Sequence, residues 1–318
     1  MSNLVGSKLF CREVKLTLGA TGGSTPLVSA VFNTSDATGL TVDGLDIDFR
    51  IDKSLKATEP NRCELEVYNL TSDHRKALGS AGALTVRLEA GYIGASQLLY
   101  LGNVRSARSE RTGQGLTDFV TKISSEDTTA RLTRVSPDKK TLKGAHAAVQ
   151  IPMGPRVSIK DAISALAAAL GKTTATVNAD VLGDVGGIMI NGSAVLGDAR
   201  ARLTDIVRSA GLEWSVQDGA VQLLNAGKAL STTLAVQISP DTGLVESPTA
   251  DSQGVVQAKS LLIPQIAPGT LVNFIGPNDP SGLTPCEFVV GGYRVDKCRY
   301  TGSTFKKDFY VEMDCVRY

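Results

Sequence analysis

The chain has 318 residues, with 33 Lys or Arg against 32 Asp or Glu and a formal charge of +1. That length suits two or three domains, each with its own core, and excludes a single small domain. The charge balance leaves no global field to gather nucleic acid or anionic lipid.

Aromatic residues make up 5% of the chain and Gly numbers 32, which fits many strands and tight turns better than an aromatic glycan-binding platform. The five cysteines, Cys11, Cys63, Cys286, Cys298 and Cys315, are odd in number and lack metal-ligand spacing, so reduced buried thiols are expected. The N-terminus has no apolar run of the signal-peptide kind, and no stretch approaches the roughly 20 apolar residues of a membrane span. Folding in a bacterial cytoplasm is the expectation.

In chain order, residues 10–18 alternate as a first strand, and 19–41 is a Gly, Ser, Thr and Asn-rich loop or partly ordered hairpin. Leu45, Ile47, Phe49 and Ile51 then alternate with Asp46, Asp48, Arg50 and Asp52, giving one dry face and one wet, acidic face. Cys63, Leu65 and Val67 alternate in the same way with Glu64, Glu66 and Tyr68. Thr71 can cap a short helix over 72–78, with Asp73 at its positive end and Gly79 as its stop. Residues 84–92 and 97–104 read as strands, and Gly113-Gln114-Gly115 turns strand 103–111 into strand 116–124.

Residues 128–154 are polar and basic and read as a linker across a surface. Ser158 with Asp161 resembles a capping box, Ile159, Ile163, Leu166 and Leu170 form a helical stripe, and Gly171 closes it. A second helix begins near Asp198, with Leu203, Ile206, Val207 and Ala210 on one face and Gly211 as its stop. Asp218-Gly219 is a two-residue hairpin signal between 213–217 and 220–224. Alternation resumes at 234–239, and 288–290, 293–299 and 309–316 supply the closing strands. The pattern is mainly β with an α/β insertion. The expected domains are a β domain over 1–130, a linker over 131–157, an α/β module over 158–226 and a second β domain over 227–318.

The segments NRCELEVYNLTSDHRKAL, VRLEAGY and LLYLGNVRSARSERTGQGLTDFVTKISSEDT resemble, in that order, the first barrel domain of baseplate hub proteins from contractile-tailed bacteriophages and related prophage tails. Asn61, Tyr68, Asn69, Leu70, Arg75, Gly91, Tyr92, Tyr100 and Gly102 fill the family's motif positions. GLEWSVQDGAVQLL is similar to the family's middle domain, and the Gly243 to Pro248 turn, Leu261-Leu262-Ile263-Pro264 and Pro268-Gly269 are similar to its last. The resemblance implies two tube-like antiparallel β-barrel domains flanking the α/β module. It further implies a homotrimeric ring in the virion tail baseplate, between a sixfold tail tube protein and a threefold central spike protein. Baseplate wedge or tape-measure proteins would be further neighbours, and DNA would pass without specific binding. The same part serves as hub in phage-like secretion or bacteriocin particles, and a tail-tip peptidoglycan hydrolase is the rival of another class.

The residues carry little chemistry. Only His74 and His146 are present, neither in HExxH, GxSxG or a Cys–His signature, so no catalytic residue, metal or cofactor is expected. Asp46/Asp48 and Glu64/Glu66 are strand carboxylates about 7 Å apart on one face, the spacing glycosidases use. A solvated strand face yields such pairs routinely, and as a hypothesis these four line a channel and repel DNA phosphates. Gly171-Lys172-Thr173 ends a helix instead of opening one, so it is no phosphate loop. Trp214 is expected in a core. The sequons at Asn33, Asn69 and Asn191 are expected to have no role in a chain with no secretion signal.

Gly102, Arg105, Thr112 and Gly113 recur at one constant offset as Gly291, Arg294, Thr301 and Gly302, and Asp118-Phe119 recurs as Asp308-Phe309 after one inserted residue. This suggests a duplicated barrel.

Overall fold

In the computed structural model of the protein, residues 12–20, 26–33, 45–57, 59–80, 84–112, 118–127, 157–170, 173–177, 188–189, 199–231, 235–276 and 289–318 are described. The linker at 131–156, His146, Gly171-Lys172, Asn191, the turn Gly113-Gln114-Gly115, Cys11 and Cys286 lie outside them. The chain divides into two compact units. Unit 1 is Met1–Lys53, Asn61–Glu126 and Ser231–Tyr318, and unit 2 is Ser54–Pro60 and Asp127–Leu230.

The first part of unit 1 contains β1 (Arg12–Ala20), β2 (Pro26–Asn33), β3 (Ile47–Ser54), β4 (Arg62–Tyr68), α1 (Ser72–Ser80), β5 (Leu84–Tyr92), β6 (Gln97–Thr112) and β7 (Asp118–Glu126). Unit 2 follows with β8 (Val157–Ser158), α2 (Ile159–Ala169), β9 (Thr173–Val177), β10 (Ile188–Met189), α3 (Ala199–Ser209), β11 (Leu212–Gln217) and β12 (Ala220–Asn225). The chain returns to unit 1 through β13 (Val236–Ile238), β14 (Leu244–Ala250), β15 (Val255–Leu261), β16 (Leu271–Phe274), β17 (Gly291–Ser303) and β18 (Phe309–Arg317). The mainly β architecture with an α/β insertion is borne out.

Period-two alternation builds the sheet: Ile47, Phe49 and Ile51 of β3 and Cys63, Leu65 and Val67 of β4 are all at most 3% exposed, while their neighbours face outward. Within the stretch read as a loop or partly ordered hairpin at 19–41, β2 pairs antiparallel with β1, with an irregularity between Leu18 and Gly19. The helix expected over 72–78 runs on through Ser80.

The order of strands repeats. One half runs β3-β4-β7-β6-β5-β1, with β2 beyond it, and the other runs β14-β15-β18-β17-β16-β13. One pairing differs, since β1 meets β5 antiparallel and β13 meets β16 parallel. Both halves carry a ladder irregularity at the same place. In β6 it falls between Val104 and Ser106, opposite Ser125 and Ser124, and in β17 between Val295 and Lys297, opposite Cys315 and Asp314. Asp118-Phe119 and Asp308-Phe309 therefore occupy equivalent positions. The glycine echo does not: Gly102 pairs with Val86 and Gly291 with Phe274, whereas ladder equivalence matches Gly102 to Tyr293. The repeat lives in topology, and most of the sequence identities that suggested it are out of register.

The two halves are continuous, because β3 of the first is hydrogen-bonded to β17 of the second within one 13-stranded sheet. They also share a hydrophobic core. Phe309 sits at the junction, edge-on to Phe49 at 6.2 Å between centroids and to Tyr92 at 5.5 Å.

In unit 2 the Ser158 hydroxyl accepts from the Asp161 amide at 3.1 Å, as a helix N-cap does. Ile163, Leu166 and Leu170 of the expected stripe are buried, as are Leu203 and Val207 of α3. Asp218 (φ 51°) and Gly219 (φ 86°) are the two-residue turn between β11 and β12, with Gln217 opposite Ala220. Trp214 is 5% exposed, and its indole N–H donates to Thr204 Oγ1 at 3.1 Å.

Candidate assembly surface

The nine motif residues fall in unit 1, and most have an evident structural task. Asn69 takes a left-handed conformation at φ 54°, one that Asn tolerates better than most residues. Its backbone N–H donates to Phe119 O at 2.7 Å, and its Oδ1 accepts from Phe119 N at 3.0 Å. The Arg75 guanidinium stacks 3.7 Å from the Phe119 ring centroid, and Arg111 lies 5.3 Å from it. Leu70 enters the core at 2% exposure, and Asn61 is buried. Tyr68 donates its hydroxyl to Glu66 at 3.3 Å.

Tyr100 and Gly102 explain each other. The fully buried Tyr100 ring lies over Gly102, where a Cβ would stand 2.2 Å from the Tyr100 hydroxyl, and that hydroxyl is 3.1 Å from Ser125 Oγ. Gly91 is set by close approach, since a Cβ there would lie 2.7 Å from Ser96 Cα. Tyr92 packs on Phe309. Sequence reasoning missed Arg12, whose guanidinium donates to the carbonyls of Ser303 and Lys307 at 2.9 Å each and lies 4.8 Å from the Phe309 centroid. No local signal marks it, because its partners are about 290 residues away.

The wet face of the sheet carries charges that alternate in sign across strands. Glu246 of β14 holds Lys259 of β15 at 3.0 Å, and Lys259 lies 4.0 Å from Glu312 of β18. Glu312 is 3.9 Å from Arg299 of β17, which pairs at 2.5 Å with Asp52 of β3. Asp52 stands opposite Arg62 of β4. Arg62 is 3.5 Å from Glu126 of β7, which also holds Arg105 of β6 at 3.0 Å. Most of these pairs are open to solvent and contribute roughly 0–1 kcal/mol each. Their consequence, among the described residues, is a face on which the sign alternates from strand to strand.

The four sequence-selected carboxylates lie on this face, each with a partner or a base opposite. Asp46 accepts from Thr304 Oγ1 at 2.9 Å, Asp48 pairs with Lys306, and Glu66 is 4.0 Å from Lys122. Glu64 stands opposite Arg50. Lys122 also reaches Glu110 at 2.5 Å. Hydrogen bonding to Asp48 raises the Lys306 ammonium above its usual range.

No family model matches the chain, and no curated protein does. Solved structures do match. The 43 kDa tail protein of prophage MuSo2 from Shewanella oneidensis superposes with a TM-score of 0.55 at 12% identity, covering 96% of this chain and 97% of that one. The tail protein from Neisseria meningitidis MC58 gives a TM-score of 0.57 at 11% identity, covering 97% of each chain. The chain has the fold of these phage tail proteins. At such identities the likeness speaks for the fold alone, and it spans nearly the whole length of each.

Among the described residues no cluster of three or more His, Cys, Asp or Glu could hold a metal ion, and no helix is long and apolar enough to cross a membrane. Cys63, Cys298 and Cys315 are buried, and burial pushes the thiols of Cys63 and Cys315 upward. His74 lies in α1, where its backbone N–H donates to Thr71 Oγ1 at 3.3 Å.

Burial also raises the Tyr92 phenol from 10.0 to about 12. A raised folded-state value means that the unfolded chain loses this proton first as pH rises. Tyr92 therefore contributes fully below pH 10.0, and its contribution falls away between pH 10.0 and about 12. Tyr92→Phe is expected to lose less stability across that window than the parent in urea titrations. Equal losses would contradict a buried, neutral Tyr92.

Proposed function

We propose that this protein is a structural hub of a phage-type tail, in which three copies form a ring between a sixfold tail tube and a threefold central spike and leave a channel for DNA. The observation that carries this reading is the repeated strand order of unit 1. Three chains with two like halves present six similar surfaces, which reconciles threefold and sixfold partners. The fold likeness to two tail proteins over nearly their whole lengths supports a place in the tail.

The wet face bearing Asp46, Asp48, Glu64 and Glu66 lines the channel. Its interleaved charges offer passing phosphates no basic patch, so DNA slides without being held. The work is burial of permanent contacts, which in obligate assemblies exceed about 2,000 Å², and no catalysis is involved. Averaged electron micrographs of the purified protein are expected to contain rings of six lobes around a channel, and a peptidoglycan zymogram is expected to stay unclear. Clearing of the zymogram by isolated monomers would favour a hydrolase.

A further inference from the structure

The junction between β3 and β17 inside one chain supplies a template for the contact between chains. β17 carries two strands on one edge. β16 pairs with its first residues, from Gly291 to Arg294, and β3 lies on the remainder. Thr304 N donates to Ile47 O at 3.1 Å, and Arg299 pairs with Asp52 at 2.5 Å. Numbers rise along β3 as they fall along β17, so the two run antiparallel.

β6 is the equivalent of β17. β5 covers its first residues as far as Asn103, and among the described residues no strand lies on that edge from Arg105 onward. Burial records the difference: Cys298 and Tyr300 of β17 are 3% and 1% exposed, whereas Ser109, equivalent to Tyr300, is exposed. A groove of ≈ 320 Å³ lined by Arg75, Leu78, Ala107, Ser109 and Thr121 lies open here. β14, the equivalent of β3, pairs only with β15 among the described strands and leaves Val245 49% exposed.

We propose that β14 of one copy lies antiparallel on the open stretch of β6 of the next copy, as β3 lies on β17 within a chain. This rests on the trimeric reading above and deepens it, since each half then lends its first strand to the following half around the ring. Ladder equivalence sets the register. Cys63 faces Ser125 and pairs with Ile51, while Val256 faces Cys315 and pairs with Ala250. Asp251 thus stands where Asp52 stands, and Arg108 stands where Arg299 stands. Both are exposed, and among the described residues Arg108 is in no ion pair, although its charge helps to lower the Glu110 carboxyl. Asp251, just past the end of β14, then meets Arg108 of β6, so the charges match.

The test uses the full chain with Ser109→Cys and Ala250→Cys. These positions lie one residue from Arg108 and Asp251, where antiparallel pairing would bring their Cβ atoms within disulfide reach. Mild oxidation of the double variant is expected to give covalent dimers and trimers on a non-reducing gel, with each single variant remaining monomeric. Arg108→Glu is expected to weaken association about tenfold or more while leaving the melting temperature of the dissociated chain unchanged. A parent of trimeric mass without cross-links, and an Arg108→Glu variant that associates normally, would overturn the edge pairing and leave the trimer standing. A parent that stays monomeric at every concentration would overturn both.

Discussion

Phe49→Ala is expected to cost unit 1 about 3–5 kcal/mol, the range for truncating a buried aromatic. Phe49 is 3% exposed, belongs to the core shared by both halves and packs edge-on against Phe309 of the second half. Its strand β3 is also the one that joins the halves through β17. The cavity would open at the seam, where Ile47, Phe309 and Gly302 are fixed by sheet hydrogen bonds and cannot close in. The shift in urea midpoint, followed by far-UV circular dichroism, measures it. A loss below about 1 kcal/mol would mean that the halves do not depend on this contact.

Gly302→Ala is expected to be nearly as damaging, by overfilling the same place. A Cβ there would lie 2.2 Å from Phe49 Cζ and 2.5 Å from its Cε1. The ring cannot swing outward, because Phe49 is buried and held against Phe309. Overpacking of this kind costs about 1–3 kcal/mol and more where nothing can yield. Phe49→Leu shortens the side chain, so adding it to Gly302→Ala should recover part of the loss. The double variant is then more stable than the sum of single effects implies. Strict additivity would contradict direct contact between the two positions.

These two positions mark where reading the sequence stops. Period-two alternation revealed β3 and β4, Ser158 and Asp161 announced a capped helix, and Asp218-Gly219 announced its hairpin, because each signal is written in neighbouring residues. Phe49 was legible as a core residue, but its partners were not. The hydrogen bond between Thr304 and Asp46 spans 258 residues, and nothing local encodes which of many amphipathic strands β3 will join. The repeat was glimpsed through Gly102 and Gly291, yet most of those identities sit out of register, since each ladder irregularity and loop length shifts the count. Asp118-Phe119 survived because each copy stands at the start of its strand, opposite the end of the strand it pairs with.

The candidate surface was legible in a similar, partial way. Asp46, Asp48, Glu64 and Glu66 were correctly placed on wet strand faces, and read alone they look acidic. Lys306 and Lys122 come from β-hairpins elsewhere in the chain and interleave with them, so the sign of the face is a property of the sheet. The motif residues carried a family likeness in sequence. In the structure Asn69 and Arg75 anchor Phe119, and Gly102 makes room for Tyr100, tasks that serve the fold.

Light scattering over a wide concentration range gives the mass of the purified chain in solution and so decides whether three copies assemble. Three times the 33.3 kDa of one chain is expected, since two like halves per chain then close a ring of six. A mass of one chain at every concentration, unchanged by a spike partner, would contradict it.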